Sequence, residues 1–340
     1  MVQKYIFNLI ACLACVLLFC SANAQDLQFS QYISAPLHLN PALAGISYGP
    51  RVSMIYRNEW PKIDKGFVSY GAAYDMHISK INSGIGLSIY NDRIANGLLN
   101  TYNINASYNY QVSFNRKFGI RIGLSAGYTH KSVNWSRLTF NDQIDPIYGF
   151  VDQQNIPNLS NESLPEQMNA GHPDFAIGFV AFSKAIYGGF TVKHFHRPKM
   201  SFYGEDETRP TAINAFIGAD IDLAPRKRNF DVYVSPNSAI FLQGSASQLM
   251  LGSYLTVQKV FGGAFFRYVF NNYDAIIGVI GVKFEYFKVA YSYDFTVSDL
   301  ALASGGAHEA SLIINFYGAD NPLNPSRRKT PLDCPKFLNF

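Results

Sequence analysis

Strict alternation of apolar and polar residues constrains this chain more than any other feature of its sequence. Over residues 102–114 every second residue is aliphatic or aromatic, and the residues between them are Asn, Ser and Gln. Side chains of a β-strand point alternately to opposite faces, so this segment predicts a strand with one apolar and one uncharged polar face. The same alternation recurs over residues 120–129, 287–295 and 309–316.

Further segments of the same type fill most of the chain. They begin near Arg51, Phe67, Gly84, Asp174, Tyr187, Thr211, Asn229, Gln248, Gly262 and Ala275. Together with the first four, they give about fourteen strands, an even number that is typical of single-chain outer-membrane barrels. Glycines such as Gly84, Gly86, Gly123 and Gly127 indicate strand positions where the backbone bends or neighbours crowd.

The polar faces favour a barrel lumen over the outer surface of a soluble sheet. Charged residues make up 15% of the chain, against roughly 25% in an average soluble domain. A soluble β-sandwich, the alternative, usually has more charges on its outer strand faces. After the first 24 residues no apolar run approaches the roughly 20 residues of a membrane-spanning helix. We therefore expect an all-β fold, a closed up-and-down antiparallel transmembrane barrel.

The N-terminus has the pattern of a secretory signal peptide. A basic Lys4 precedes an apolar run over residues 5–19, and Ala22-Asn23-Ala24 follows as a cleavage site. We expect cleavage after Ala24 and export to the outer membrane. A lipoprotein signal ending at Cys20 is the less favoured alternative, because bulky Phe19 precedes that cysteine. Only Cys334 remains in the mature chain, so it forms no internal disulfide.

These signals divide the chain into a signal peptide (residues 1–24), an N-terminal segment (25–50), a barrel (51–317) and a tail (318–340). The polar stretch at residues 135–173 predicts a long surface loop. An even number of strands returns the chain to the side where it began, so we expect both terminal segments to be periplasmic. A plug inside the barrel is the alternative for residues 25–50, and a disordered tail for residues 318–340.

Candidate catalytic and metal-binding residues are few. His194 and His196 lie two apart at a strand end and on one face, but two imidazoles alone do not specify a metal. His308 and Glu309 are neighbours on a strand, so they point to opposite faces. We expect no cofactor, and the small net charge of +4 gives no support for nucleic-acid binding. An outer-membrane hydrolase remains a third alternative.

Several local strings go further and resemble the PorP/SprF family. They are QY (31–32), PLHLNPALAG (36–45), YRNEW (56–60), GIGL (84–87) with Asp92, PDF (173–175) with Gly178, YSYDFTVSDL (291–300), Gly305, Gly306, His308, Glu309 and CPKF (334–337). The similarity covers the whole mature chain in matching order.

The resemblance implies a non-enzymatic outer-membrane component of type IX secretion and gliding in Bacteroidetes. Such a protein assists export or surface attachment of a cargo such as a large adhesin, and contacts the secretion or gliding machinery and outer-membrane lipid. A general outer-membrane porin is the alternative.

Residues of the family strings are the partner-binding candidates that the resemblance implies, and the basic residues of the tail are candidates for docking a machine subunit. The family set is Asn40, Pro41, Gly45, Arg57, Trp60, Tyr293, Asp294, His308 and Glu309. The tail set is Arg327, Arg328 and Lys329.

Overall fold

The computed structural model describes residues 26–47, 49–63, 66–114, 118–162, 168–202, 208–224, 231–269, 272–297 and 304–316. The expected signal peptide, the turn at residues 115–117, Cys334 and the tail lie outside these residues. The strands are β1 Arg51–Glu59, β2 Phe67–Ile78, β3 Ser83–Ile94, β4 Leu99–Ser113, β5 Phe118–Val133, β6 Asn169–Ser183, β7 Ile186–Lys193, β8 Ala212–Ala219, β9 Ile221–Asp222, β10 Val232–Gln243, β11 Ala246–Val257, β12 Val260–Val269, β13 Asn272–Lys283, β14 Phe287–Thr296 and β15 Ala307–Asn315. No helix among these residues has the length and apolarity needed to cross a membrane.

The strands close into a single antiparallel barrel. Apart from the short β9, each strand pairs with the strands before and after it in the chain, and β1 pairs with both β2 and β15, with Arg51 opposite Asp75 and Asn315. The two-residue β9 continues β8 beyond Asp220, since both pair with β10. The barrel therefore has fourteen strands, which confirms the predicted fold class. Closure leaves no sheet edge unpaired, the condition for strands to span lipid.

The predicted alternation places apolar side chains outside and polar ones inside. In β4, Tyr102, Ile104, Tyr108 and Tyr110 are exposed on the outer surface, whereas Ser107, Asn109 and Gln111 are buried in the lumen. In β14 the exposed and buried residues alternate in the same way. Because the outer surface is apolar along the strands, it is suited to contact with the hydrocarbon chains of membrane lipids.

The barrel has two different ends. At the proximal end, β1 begins and β15 ends, and the Phe316 backbone N–H donates to the Pro50 carbonyl. The distal end carries the longer connections, β5–β6 at residues 134–168 and β7–β8 at residues 194–211. The long loop was predicted to span residues 135–173, but it ends earlier, at residue 168. Its last residues extend β6, since residues 169–173 pair with the end of β5.

The N-terminal segment lies inside the barrel. Residues 26–47, called the plug below, run from the distal end to the proximal end. They form short helices at Tyr32–Ser34, Pro36–Leu39 and Pro41–Leu43. Pro36 and Pro41 occupy first helical turns, where a missing N–H costs nothing, and the Asn40 side chain caps the last helix by accepting from the Ala42 N–H. The N-terminal segment is therefore a plug inside the barrel, which was the alternative expectation. It does not project from the barrel as a separate periplasmic segment would.

One side of the lumen is apolar and forms a core with the plug. Tyr32, Ile33, Leu39, Leu43 and Ile46 of the plug pack against buried residues of β6–β8 and β10–β14. The wall residues of this cluster are Val180, Phe182, Tyr187, Phe216, Tyr233, Ala239, Phe241, Met250, Tyr254, Phe261, Phe265, Ala275, Ile277, Val279 and Ala290. The interior is thus not uniformly hydrophilic, because one side of it is closed by hydrophobic contact with the plug.

Candidate functional site

The candidate site is the lumen with its plug, because most of the family-string residues meet there. Lumen-facing side chains from β1, β2, β4, β5, β10, β12, β14 and β15 hold the plug at several points along its length. Both hydrogen bonds and ion pairs contribute, and most of the groups that make them are buried.

The largest ionic cluster binds Ser30 and Gln31 of the plug. The Glu309 carboxylate accepts from the Ser30 backbone N–H at 2.9 Å and the Gln31 backbone N–H at 2.6 Å. Arg57 binds Glu309 at 3.1 Å and Asp294 at 3.0 Å. Arg267 adds a second cation to Asp294 at 2.8 Å.

The carboxylates of this cluster do two things at once. Glu309 and Asp294 neutralise the arginines, and Glu309 satisfies two plug amides that would otherwise be buried without a partner. The Ser30 hydroxyl is shared as well, since it donates to Asp294 and accepts from Arg57. The wall charges are therefore arranged around the plug backbone.

A second ionic contact fixes the proximal end of the plug. The Arg51 guanidinium binds both oxygens of Asp75, at 2.9 and 3.0 Å. Asp75 also accepts from the Gly45 backbone N–H at 2.7 Å. Gly45 has a φ of +59°, and a Cβ there would lie 2.5 Å from the Met76 carbonyl oxygen. Only glycine fits this close approach of plug and wall.

Asn40 holds the middle of the plug. Its side-chain amide donates to the carbonyls of Phe179 in β6 and Phe190 in β7, at 3.2 and 3.0 Å. Wall glycines make room beside it. A Cβ at Gly178 would lie 2.0 Å from the Asn40 Oδ1, and one at Gly123 would lie 2.3 Å from the Ala42 nitrogen. The crowding predicted for Gly123 is therefore caused by the plug.

Asp26, the first described residue, is bound at the distal end by three wall side chains. Arg209 donates to its Oδ1 from Nη2 at 2.6 Å and from Nε at 3.1 Å. Gln243 donates to the same oxygen at 3.0 Å. The His194 Nε2 lies 2.6 Å from Oδ2, while its Nδ1 lies 2.6 Å from Asp174 Oδ1. A cavity of about 50 Å³ adjoins this group, enough for a few water molecules.

The protonation of this group follows from its partners. Asp26 lies in the plug and His194 in the β7–β8 connection, both outside the strands. Burial tends to raise the pKa of Asp26, but Arg209 and His194 outweigh it and lower that pKa well below its usual value. Burial tends to lower the pKa of His194, but hydrogen bonds to Asp174 and Asp26 raise it above its usual value. An imidazolium between two carboxylates is therefore the favoured state.

Three of the nine partner-binding candidates lie outside the lumen. Trp60 follows β1 at the distal end, where its backbone N–H donates to the Gly306 carbonyl at 2.8 Å. The Tyr293 hydroxyl donates to the Gly305 carbonyl at 3.1 Å, and its ring packs on His308. The His308 Nδ1 lies 2.7 Å from the Tyr291 hydroxyl. Because His308 is outside while Glu309 is fully buried inside, the two residues do face opposite ways as predicted.

The expectation that His194 and His196 share one face is wrong. The β7 strand ends at Lys193, and His194 adopts a left-handed backbone with a φ of +54°, which breaks the alternation. His194 is buried in the lumen, whereas His196 is exposed and its ring lies 2.9 Å from the Pro173 carbonyl oxygen. Among the described residues, no group of His, Cys, Asp and Glu side chains has the geometry of a metal site.

Some important residues carried no recognisable signal in the sequence. Asp26 and Arg209 are 183 positions apart, and Asp26 and Gln243 are 217 apart. Asp174 belongs to a family string. Its contact with His194 could not be read from the sequence, because the two residues meet only after the chain reverses between β6 and β7. Arg327, Arg328 and Lys329 lie outside the described residues.

Fold and site together define the class of this protein, a membrane β-barrel whose lumen is filled by its own N-terminal segment. Several solved structures are similar to this chain. A toluene transporter, TbuX from Ralstonia pickettii, matches with 8% identity and a TM-score of 0.46, covering 84% of this chain and 94% of its own. The P. putida toluene transporter TodX matches with 8% identity and a TM-score of 0.44, covering 82% and 94%. The KdgM porin matches with 11% identity and a TM-score of 0.34, covering 78% and 99%.

The family comparison is more specific. Residues 21–314 match the family described as type IX secretion system membrane protein PorP/SprF. The chain therefore belongs to the PorP/SprF family, as the sequence strings predicted. No curated protein matches the chain.

Proposed function

We propose that this protein is a non-enzymatic outer-membrane component of type IX secretion that assists export or cell-surface attachment of a cargo protein such as a large adhesin. Membership of the PorP/SprF family over residues 21–314 is the observation that carries this proposal. Its partners are the secretion or gliding machinery, the cargo and the lipid around the barrel.

The same proposal sets the orientation of the barrel. Outer-membrane barrels have short periplasmic turns and longer external loops. The distal end, which carries the connections at residues 134–168 and 194–211, therefore faces the cell exterior. The proximal end, where β15 ends, faces the periplasm, and the tail residues Arg327, Arg328 and Lys329 are the proposed docking residues for a machine subunit.

The plug favours this role over that of a general porin. A porin keeps an open aqueous channel lined by charged groups. Here residues 26–47 cross the lumen, pack against an apolar wall and bind the polar wall through hydrogen bonds to buried carboxylates and through the ion pair of Asp26 with Arg209. A solute would have to break these contacts to pass.

The family-string residues fit a role in setting the plug position. Asn40, Pro41 and Gly45 belong to the plug, and Arg57, Asp294 and Glu309 hold it. We propose that these residues act on a partner through the plug. Trp60, Tyr293 and His308 shape the distal rim, where a cargo would make direct contact.

A hydrolase is the rival from the enzyme class. It requires that substitution of His194, His196 or His308 abolish a measurable hydrolytic activity. The contacts of the three histidines favour structural roles, since each ring pairs with a wall group or a rim group. We therefore expect no catalytic loss from any of these substitutions.

Gene deletion tests the proposed function. In a strain without paralogues, we expect the deletion to remove at least one type IX substrate from the surface or the secreted fraction, and we expect the wild-type gene to restore it. Proteomics of both fractions measures the effect. Correct placement of every type IX substrate in the deletion strain would rule out the proposal.

A further inference from the structure

The distal contact of the plug has the construction of a ligand site. One carboxylate, that of Asp26, is surrounded by donors from three separate parts of the wall: His194 after β7, Arg209 before β8 and Gln243 at the end of β10. Charge-assisted hydrogen bonds of this kind are the strong ones, and a guanidinium suits a carboxylate particularly well.

Two of the donors, His194 and Arg209, are held in place by groups other than Asp26. The second ring nitrogen of His194 is bound by Asp174, and the His194 backbone N–H donates to the Phe175 carbonyl at 3.0 Å. The Arg209 Nη1 donates to the Thr129 hydroxyl at 3.2 Å, and its backbone N–H donates to the Pro198 carbonyl at 2.9 Å. The positions of His194 and Arg209 therefore do not depend on Asp26, whereas the Gln243 side chain is oriented by Asp26 itself, since it donates to the carboxylate and accepts from the Asp26 backbone N–H at 2.7 Å.

We propose that His194 and Arg209 form a preorganised carboxylate-binding site, completed by Gln243, which Asp26 fills from within the same chain. The site would bind a carboxylate of an extended peptide. This carboxylate replaces that of Asp26 when the first residues of the plug are displaced. The adjoining cavity, lined also by Lys193 and His38, provides space beside the carboxylate and a further cation. The inference that the ligand is a peptide rests on the proposed function. The inference that the site binds a carboxylate does not.

Removal of Asp26 empties the site and makes it testable with acetate. The mature protein carrying Asp26→Ala is purified in detergent micelles, and thermal unfolding is measured against sodium acetate, with sodium chloride and acetamide as controls. We expect saturable stabilisation by acetate alone. A second substitution, Arg209→Gln, should weaken the apparent acetate affinity about tenfold or more, because it removes charge-assisted hydrogen bonds.

Matched variants make the result specific. The wild-type protein should show no acetate effect, since Asp26 occupies the site, and Asp222→Ala, which removes an exposed aspartate at the proximal end, should behave like the wild type. If Asp26→Ala does not fold, Asp26→Ser gives the same test. Equal effects of acetate and acetamide, or no loss with Arg209→Gln, would overturn the proposal.

A peptide experiment tests the ligand class. A short peptide without acidic side chains is compared as the free acid and as the C-terminal amide, on the Asp26→Ala protein. We expect only the free acid to compete with acetate. If acetate binds and the free acid does not compete, the peptide part is wrong. These outcomes are independent of the deletion experiment, which tests the proposed function alone.

Discussion

At the scale of single residues, Arg57 makes the largest share of the ionic contacts around the plug. It binds Glu309 and Asp294, which are both buried, and the partly exposed Glu59. Removal of one partner from a buried ion pair is costly because the other charge stays buried without compensation. Glu309 would then face two plug amides as its main remaining partners.

We expect Arg57→Ala to destabilise the folded barrel by about 3–5 kcal/mol, measured as the free energy of unfolding in urea. Arg137→Ala, at an exposed position in the β5–β6 loop, is the control and should change stability by less than about 0.5 kcal/mol. A loss of the same small size from both substitutions would show that the cluster does not hold the plug.

His194 makes the distal contact sensitive to pH. Two carboxylates, Asp26 and Asp174, accept from the two ring nitrogens, which requires protonation of both. Arg209, Lys193 and His172 also face this group and oppose its charge. Because the pKa of His194 is nevertheless raised in the folded protein, its contribution is fully present below the usual histidine pKa of about 6.5. It is lost as the pH rises through the raised pKa.

We therefore expect hydrogen exchange at residues 27–31 to accelerate as the pH rises above about 6.5, after correction for the intrinsic pH dependence of exchange. In His194→Gln the ring is absent, and this pH-dependent step should disappear. Residues 40–45 serve as an internal control, since Asn40 and Gly45 bind the wall without His194. The same pH profile in wild type and variant would exclude His194 as the cause.

At the scale of elements, the plug and the wall fit each other through glycines on lumen-facing positions of the strands. A Cβ at Gly84 would lie 2.1 Å from the Ala44 carbonyl oxygen, and one at Gly123 would lie 2.3 Å from the Ala42 nitrogen. Backbone atoms cannot shift as a flexible side chain can. A single methyl group at either position therefore excludes the plug from its place while leaving strand pairing possible.

We expect Gly123→Ala to displace the helix Pro41–Leu43 and to make the plug accessible to added protease, while the barrel keeps its strand content by circular dichroism. Gly262→Ala is the matched control, because its Cβ would lie 3.6 Å from the Val279 carbonyl oxygen, which is an ordinary van der Waals contact. Equal protease resistance of the two variants would contradict the assigned role of Gly123.

At the scale of the whole molecule, the filled lumen decides whether the protein conducts ions. We expect the purified protein in planar bilayers to show no large stable channel. Deletion of residues 26–47 should open one, because the polar wall of β1–β6 would then face an aqueous path. Single-channel recording measures both. A large open pore in the wild type would favour the porin alternative.

The sequence by itself determined the strands and their faces. A two-residue period sorts side chains onto opposite faces wherever a strand lies, and so fourteen strands, their outer surfaces and the return of the chain to its starting end followed from local pattern alone. The family strings likewise identified Arg57, Asp294 and Glu309 as important residues, although not what they hold.

Only the tertiary structure decided what fills the barrel. The contacts of Asp26 with Arg209 and Gln243, and of Ser30 with Glu309, join residues about 180 to 280 positions apart. No local period encodes such pairs, because they exist only once the sheet has closed and the plug has entered it. The same closure turned polar lumen residues and glycines into a binding surface for the plug.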